Sequence, residues 1–395
     1  PTRRSSDLYY DEPTATYPQI SSGSESLVAG KGYLAQINTS GTYSFTGALN
    51  NGTVGPVALT RTPEAGGPRG FNLVGNPYPS HIDWNAITGY GTENQRTDIR
   101  PTVWRRTRTA SGTMGFDTFD GEDGVTVGVR GDADQYIAPL QAFWVKVHEE
   151  NTNPTITFTN DMRSLRDQSA ASNRLRAPGQ SNRSILSLEL DNGMNTDKTI
   201  ISTNPRANDG YDFYDSDKMK VGSPDYAEFF SIVADNELVI NKRQRLDAGS
   251  SVMLGFRPGK SGSFGIRVAE MTNLDHVKVM LNDHLTSVVT ELKAGEYYAF
   301  EADGTEDLNR FSLQFRSPGE VTFVESGHNS DILIYVNWDN KITVQAGTFY
   351  SGEVIRVYDL SGQLISSRLI DGSTTSIHQP LPAGVYLVKL NQQVQ

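Results

Sequence analysis

The sequence contains no cysteine among its 395 residues. Disulfide bonds, thiolate catalysis and cysteine-ligated zinc are therefore excluded, and each domain must be held together by its buried core. No apolar run approaches the ~18 residues that a membrane-spanning helix requires. Basic residues are also outnumbered, because 35 Lys and Arg face 46 Asp and Glu and give a formal net charge of −11. Nucleic acids and anionic lipids are bound by basic surfaces, so the charge argues against both partners.

Recognisable catalytic motifs are lacking as well. There is no H-E-x-x-H pair and no G-x-S-x-G nucleophile on a strand–turn–helix pattern. Residues 255–261 are one position short of a phosphate-binding loop and have no α/β pattern around them, so we predict an ordinary turn. The six histidines are expected to be isolated. We therefore predict no catalytic residue and no cofactor, and expect the chain not to be an enzyme.

Turn residues between short apolar runs are abundant. The chain has 37 glycines and 18 prolines, a composition typical of turn-rich β proteins. Apolar and polar residues alternate with a period of two in segments such as 27–37 and 41–46, which predicts short strands. We therefore predict an all-β fold built from tandem antiparallel β-sandwich modules.

Changes in composition divide the chain into segments. Residues 1–8 have no evident structural role and are interpreted as a non-native scar, with both natural termini expected beyond this sequence. The other predicted segments are a β module at 9–161, a polar linker at 162–183, a β-sandwich module at 184–317, a linker at 318–330 and a terminal domain at 331–395. Strands of the second module are predicted at residues 185–190, 199–202, 228–233, 238–241, 251–256, 264–270, 277–281, 297–301 and 311–315.

The most specific sequence motif lies near the C-terminus, within residues 354–389. Asp359 and Gly362 fall between two apolar runs, where Asp can accept bonds from backbone N–H groups and Gly tolerates positive φ. This pattern predicts a hairpin turn. Pro382 and Gly384 predict a second turn, followed by a strand at 385–388. Gly362→Val is expected to cost about 1 kcal/mol or more by straining a left-handed residue.

Two phrases in this region, V-Y-D-L-S-G-Q-L and L-P-A-G-V-Y-L-V-K, resemble the C-terminal sorting domain of proteins exported by the type IX secretion system of Bacteroidota. The resemblance covers residues 331–395. Its motif positions are Val357, Tyr358, Asp359, Gly362, Pro382, Gly384 and Tyr386. It implies an Ig-like domain, recognition by the export machinery and a secreted or outer-surface location. The family continues into one more strand after the position of Gln395, so the tail is expected to be truncated.

An earlier segment strengthens this interpretation. The phrase F-N-L-V-G-N-P-Y-P-S at residues 71–80, with I-A-P-L-Q-A-F-W-V-K-V at 137–147, resembles a β module that commonly precedes such sorting domains. The resemblance implies no enzymatic role for the module. Trp84 and Trp144 lie within apolar phrases and are expected in the core, and Ser80 or Asp83 is expected to cap a short helical turn containing Trp84.

Two kinds of ligand site can be considered from the residues. The densest acidic loop offers four calcium candidates, Asp209, Asp212, Asp215 and Asp217, and residues 116–124 form a second acidic loop. Neither loop has the EF-hand spacing, so a solvated or structural turn is the competing interpretation. Trp104 precedes Arg105 and Arg106 and is predicted to be exposed, where it could stack on a sugar ring.

These observations predict a non-catalytic C-terminal part of an exported or cell-surface protein, whose terminal domain directs type IX secretion. One alternative is a carbohydrate-binding or adhesive module formed by residues 9–317, with a surface glycan or matrix protein as partner. A second is the accessory half of a secreted hydrolase whose catalytic domain lies upstream.

Overall fold

The computed structural model divides the chain into two compact units, Pro1–Pro318 and Gly319–Gln395. It describes residues 7–20, 26–35, 47–62, 69–86, 99–108, 112, 114–128, 133–147, 154–165, 183–223, 225–305, 307–318, 332–336, 341–346, 354–359, 361–370, 374–377 and 385–391. Across these residues the regular structure consists of strands and two 3₁₀ turns, at Trp84–Ala86 and Asn160–Met162. The predicted all-β class is confirmed.

Short strands make up the first half of the larger unit. They are β1 (Asp7–Leu8), β2 (Leu34–Ala35), β3 (Val54–Ala58), β4 (Phe71–Gly75), β5 (His81–Asp83), β6 (Ile99–Arg108), β7 (Met114–Asp120), β8 (Thr126–Gly128), β9 (Tyr136–Ile137), β10 (Ala142–Val147), β11 (Thr155–Phe158) and β12 (Arg163–Ser164). Their main sheet has the order β4-β10-β6-β7-β8, and three smaller sheets pair β1 with β2, β3 with β11, and β5 with β9 and β12.

Both faces of the main sheet are buried, which its interior strand β10 shows directly. Successive side chains of a strand point to opposite faces. On β10, Phe143 and Val145 enter one hydrophobic cluster, and Trp144 enters another with Phe71 and Trp104. Trp84 joins the first cluster and packs edge-on against Phe143 at 5.7 Å between ring centroids. The predicted core positions of Trp84 and Trp144 are confirmed.

The second half of the larger unit is dominated by one large sheet. Its strands are β13 (Ile185–Asp191), β14 (Thr196–Thr203), β15 (Ser216–Asp217), β16 (Glu228–Val233), β17 (Asn236–Arg243), β18 (Ser251–Arg257), β19 (Gly262–Thr272), β20 (Lys278–Asp283), β21 (Val288–Leu292), β22 (Tyr297–Ala302) and β23 (Phe311–Arg316). All nine strands predicted for this module are present, whereas β15 and β21 were not predicted.

In the large sheet the strands follow the order β21-β20-β23-β18-β16-β17-β14-β13-β19-β22, and β15 pairs with β17. The pairing is antiparallel except between β14 and β17, which run parallel. Phe256, Phe264, Phe300 and Phe311 contact one another in its main hydrophobic cluster, with ring centroids 4.8–6.2 Å apart.

The two modules predicted from the sequence belong to the same compact unit. Val125 and Val127, from the first module, share a buried cluster with Ile200, Val239 and Ile240 of the second. The predicted linker at 162–183 also begins within the fold, because β12 pairs with β5 through Arg163–Ile82 and Ser164–His81. The boundary between the modules is therefore an internal packing seam, which we call the module seam.

Residues 1–8 were interpreted as a non-native scar with no evident structural role, yet the last two of them form a short strand. Asp7 pairs with Ala35 and Leu8 with Leu34 in an antiparallel ladder.

The C-terminal unit contains two three-stranded antiparallel sheets in its described part. Its strands are β24 (Ile332–Val336), β25 (Ile342–Ala346), β26 (Val354–Tyr358), β27 (Leu364–Leu369), β28 (Thr374–Ser376) and β29 (Leu387–Asn391). One sheet has the order β24-β25-β28 and the other β27-β26-β29. Side chains from both sheets, including Val344, Ile355 and Val357, form one buried cluster.

Candidate functional site

The position of Trp104 contradicts the sequence prediction. Its side chain is fully buried on β6, packs edge-on against Phe71 at 5.0 Å and donates an Nε1–H bond to the backbone oxygen of Asp217 at 3.0 Å. β15 supplies this acceptor from 113 residues further along the chain. Trp104 therefore cannot serve as a platform for a sugar ring. Its indole is part of the module seam.

The acidic loop does not assemble a calcium site either. Asp209 pairs with Arg243, Asp212 accepts the backbone N–H groups of Asn208 and Tyr214, and the other two carboxylates are directed into the module seam. Within the described part of the chain, no three His, Asp or Glu side chains are grouped so that they could hold a metal ion. The structural-turn interpretation is the one that the geometry supports.

Asp217 forms the first of three buried polar contacts along the seam. Its Oδ1 accepts bonds from Lys146 Nζ at 2.6 Å and from the Tyr211 hydroxyl at 2.9 Å. Lys146 lies on β10 and Asp217 on β15, so this pair joins the two modules. Burial opposes ionisation of Asp217, but the Lys146 and Arg100 cations and the hydrogen bonds from Lys146 and Tyr211 together outweigh it and lower the pKa of that carboxyl.

Arg100 and Asp215 form the second contact. The buried Arg100 guanidinium donates to the backbone oxygens of Asp212 at 2.7 Å and Asp215 at 3.1 Å. The Asp215 carboxyl is buried and accepts the backbone N–H groups of Lys242 at 2.8 Å and Asp212 at 3.0 Å. Burial is the largest influence and raises the pKa of Asp215 to about 7. The side chain of this calcium candidate thus fixes the path of the backbone at the seam.

Lys242 is at the centre of the third contact. Its side chain on β17 is fully buried, and its Nζ contacts one carboxylate from the end of β7, Asp120, and one from the following turn, Asp123. Arg183 pairs with the same Asp123 at 2.7 Å. In this second acidic loop, which the sequence offered as a calcium candidate, the carboxylates therefore bind the ammonium group of Lys242. We call Lys242, Asp120 and Asp123 the lysine triad.

Two of the histidines that the structure describes, His276 and His284, make separate local contacts. His276 Nε2 lies 3.0 Å from the Leu246 backbone oxygen, and His284 Nε2 lies 2.9 Å from the Ser312 hydroxyl. Neither arrangement provides a shared site.

In the C-terminal unit, the predicted hairpin turn is confirmed. Asp359 Oδ1 accepts the N–H groups of Ser361 at 2.8 Å and Gln363 at 2.9 Å, and Gly362 has φ +85°. The hydrogen bond from Ser361 is the main reason why the pKa of Asp359 is lowered. Pro382 and Gly384, which carry the second predicted turn, lie outside the described residues.

The sheet β27-β26-β29 exposes an apolar row at the end nearest this turn. Its inner face contributes Val357, which is fully buried, and the half-buried Tyr386 packs against the same core. On the other face, Tyr358 pairs with Leu364 on one side and Leu387 on the other. Leu364 is 48% exposed and Leu387 is 58% exposed. We call Tyr358, Leu364 and Leu387 the apolar row.

A family model described as Domain of unknown function (DUF8693) matches residues 1–315. The chain belongs to the DUF8693 family. The match ends close to Pro318, where the larger compact unit ends, so the family domain includes both modules and the seam between them. No curated protein and no solved structure matches this DUF8693 chain. No helix in the described part of the chain has the length and hydrophobicity needed to cross a membrane.

The lysine triad was missed by sequence reasoning, and the sequence offers only a weak signal for it. Lys242 stands in the basic run N-K-R-Q-R, which resembles an exposed strand end, and Asp120 lies in an acidic loop. Nothing local links two segments that are more than a hundred residues apart.

Proposed function

We propose that this DUF8693 chain is a non-catalytic, exported or cell-surface protein whose C-terminal unit is recognised by the type IX secretion machinery. The observation that carries the proposal is that the sorting-type phrases lie in a separate compact unit, beyond the part that the family model matches. A transferable export signal is expected to fold independently of its cargo, since it must serve many different cargoes.

The apolar row is the surface that we assign to this recognition. Exposed apolar side chains that lie side by side mark protein interaction sites more often than scattered ones do. In the row, Tyr358 is flanked on both neighbouring strands by an exposed leucine. The next outward residue of β26 is Arg356, which pairs with Lys389 and so gives the row a basic border. The Asp359–Gly362 turn maintains the hairpin that holds the row in place.

The glycan-binding alternative loses its specific support. It depended on an exposed Trp104, and that indole is buried in the module seam. We therefore do not propose a carbohydrate ligand.

The proposal can be tested by export. The chain, extended after Gln395 by the final strand of a known type IX sorting domain, is placed behind a Sec signal peptide. It is expressed in type IX-proficient and type IX-deficient strains of a Bacteroidota host, and the medium and cell surface are probed by immunoblot. We expect export in the proficient strain alone. If the chain stays in the periplasm of the proficient strain while a known type IX cargo is exported, the proposal is wrong.

A paired variant tests the apolar row itself. Leu364→Ser with Leu387→Ser is expected to reduce export several-fold while leaving the melting temperature of the purified chain within about 2 °C, since both side chains are largely exposed. The matched control is Leu285→Ser with Val289→Ser, two exposed apolar positions of the larger unit. Equal export of the two double variants would contradict the assignment of the row.

A further inference from the structure

The lysine triad brings an amine nucleophile and a carboxyl carbon together in the absence of solvent. Lys242 Nζ lies 2.5 Å from Asp120 Oδ2, and the side chains of both residues have 0% exposure. The two groups form a buried ion pair, and a hydrogen bond from Lys242 acts against the effect of burial on the pKa of Asp120. The other oxygen, Oδ1, accepts the N–H of Glu122 at 2.9 Å and so fixes the carboxyl plane. The contact is therefore close, and the carboxyl group is held in a fixed orientation.

Backbone contacts hold the two reacting residues in place. The N–H of Lys242 donates to Asp215 Oδ1 at 2.8 Å, and the N–H of Asp120 donates to the Val125 oxygen at 2.9 Å. Val125 and Ile240 belong to a buried apolar cluster built from the same segments. Holding two groups in contact in this way replaces a bimolecular encounter by an intramolecular step, which lowers the entropic part of the barrier to condensation. Exclusion of water also protects the product from hydrolysis.

The third member, Asp123, differs from Asp120 in its electrostatic environment. Burial raises the pKa of Asp120 to about 7 against the opposing effect of Lys242, and so favours the protonated carboxyl more than in an exposed aspartate. Burial acts in the same direction on Asp123, but the cations of Lys242 and Arg183 outweigh it and lower the pKa of that carboxyl. Asp123 also accepts a hydrogen bond from Lys242 Nζ. The triad thus contains a carboxyl group with a raised pKa, an amine held as an ammonium because Asp120 and Asp123 outweigh the effect of burial on its pKa, and a carboxylate in contact with that ammonium.

We propose that Lys242 and Asp120 condense spontaneously to an intramolecular amide bond that covalently joins the two modules of the DUF8693 domain. The Asp123 carboxylate accepts one proton from the Lys242 ammonium, and the neutral Nζ adds to Cγ of the protonated Asp120 carboxyl. The Cγ–hydroxyl bond then breaks, and the hydroxyl leaves with one amine hydrogen as water. An Nζ–Cγ amide remains, Asp123 is left protonated, and no oxidant or cofactor is consumed.

The cross-link would have a clear structural value in this chain. The sequence has no cysteine, so a disulfide cannot fasten one module to the other. A covalent bond between β7 and β17 closes a loop of more than a hundred residues, and closing a long loop lowers the entropy of the unfolded chain. The inference is independent of the export proposal, because it concerns the larger unit alone.

Mass spectrometry of the purified full-length chain tests the proposal. Under denaturing conditions we expect a mass lower than the sequence mass by about 18 Da, the loss of one water. Trypsin should release a branched peptide in which residues 109–130 are joined to residues 221–243, with no cleavage after Lys242. A chain of full sequence mass with separate peptides, after prolonged incubation at neutral pH, would overturn the proposal.

Variants distinguish the amide from an ordinary buried ion pair. Lys242→Arg keeps the positive charge but removes the amine, so the branched peptide should disappear. Asp123→Asn keeps both reacting groups and removes the base, so the cross-linked fraction of freshly made protein should fall at least about tenfold. The matched control is Lys146→Arg at the other buried Lys–Asp pair of the seam, which should still lose water. The peptide map of the parent chain decides by itself whether the amide bond is present. The proposal can therefore be tested even if a variant fails to fold.

Discussion

Replacing Lys146 by methionine would leave a buried carboxylate without its main counter-ion. The Lys146 and Asp217 side chains are 6% and 11% exposed, and their charged atoms lie 2.6 Å apart. Removing one partner of such a pair costs about 3–5 kcal/mol, because the remaining charge is neither solvated nor paired. At roughly 2 °C per kcal/mol for a large domain, the melting temperature should fall by about 6–10 °C. Denaturant titration and differential scanning calorimetry measure both quantities.

Two further variants make this prediction specific. The double variant Lys146→Met with Asp217→Asn should recover at least half of the lost stability, since no unpaired charge is left in the seam. Lys260→Met, at an exposed pair with Asp225 in which the side chains are 58% and 53% exposed, should change stability by less than about 1 kcal/mol. The reasoning is refuted if Lys146→Met loses no more stability than Lys260→Met, or if the double variant is as unstable as the single one.

Three other predictions follow from the seam and the C-terminal hairpin. Trp104→Ala should lower the free energy of unfolding by about 3–5 kcal/mol in denaturant titration, because it leaves a cavity and an unsatisfied carbonyl; a loss under 1 kcal/mol would contradict its burial. Folding raises the pKa of the Asp215 carboxyl from 3.8 to about 7, so this group stabilises the fold below pH 3.8 and loses the contribution as the pH rises through about 7. In Asp215→Asn, the denaturation midpoint should therefore decline less steeply between these two pH values. An unchanged slope would refute the assignment. Gly362→Val and its control Gly193→Val, both at open positions with φ near +80°, should each cost about 1–2 kcal/mol, but in melting experiments only the former should destabilise the C-terminal unit.

The strands of the second module were predictable because their signal is local. Alternating apolar residues between turns, such as 251–256 and 264–270, specify both the strand and its buried face within a single segment. The Asp359 turn was predictable for the same reason, since its donors and acceptors all lie within five residues. Strand β15 was missed because its two residues, Ser216 and Asp217, are polar and buried only through partners elsewhere in the chain.

Trp104 shows why the contacts of the module seam could not be predicted from the sequence. The arginines that follow it indicate a solvent-facing strand, and Arg106 and Arg108 are indeed exposed. The burial of the indole depends on β15, which is 113 residues away, and no pattern within β6 reveals that cover. The lysine triad has the same origin. The module seam is held by charged residues that are far apart in the sequence. Such pairs produce no periodicity and no motif from which they could be predicted in a single sequence.

The seam also determines how this chain can fold. Its contacts join residues separated by 113, 115 and 119 positions, and folding slows as the sequence separation between contacting residues grows. While the first module is being synthesised, Asp120 and Asp123 have no Lys242 to meet them, and burying both carboxylates without it is unfavourable. The first half of the domain is therefore expected to stay loosely structured until the second emerges from the ribosome. A chain that folds this slowly stays unfolded long enough to be transported by a translocase that accepts only unfolded polypeptides.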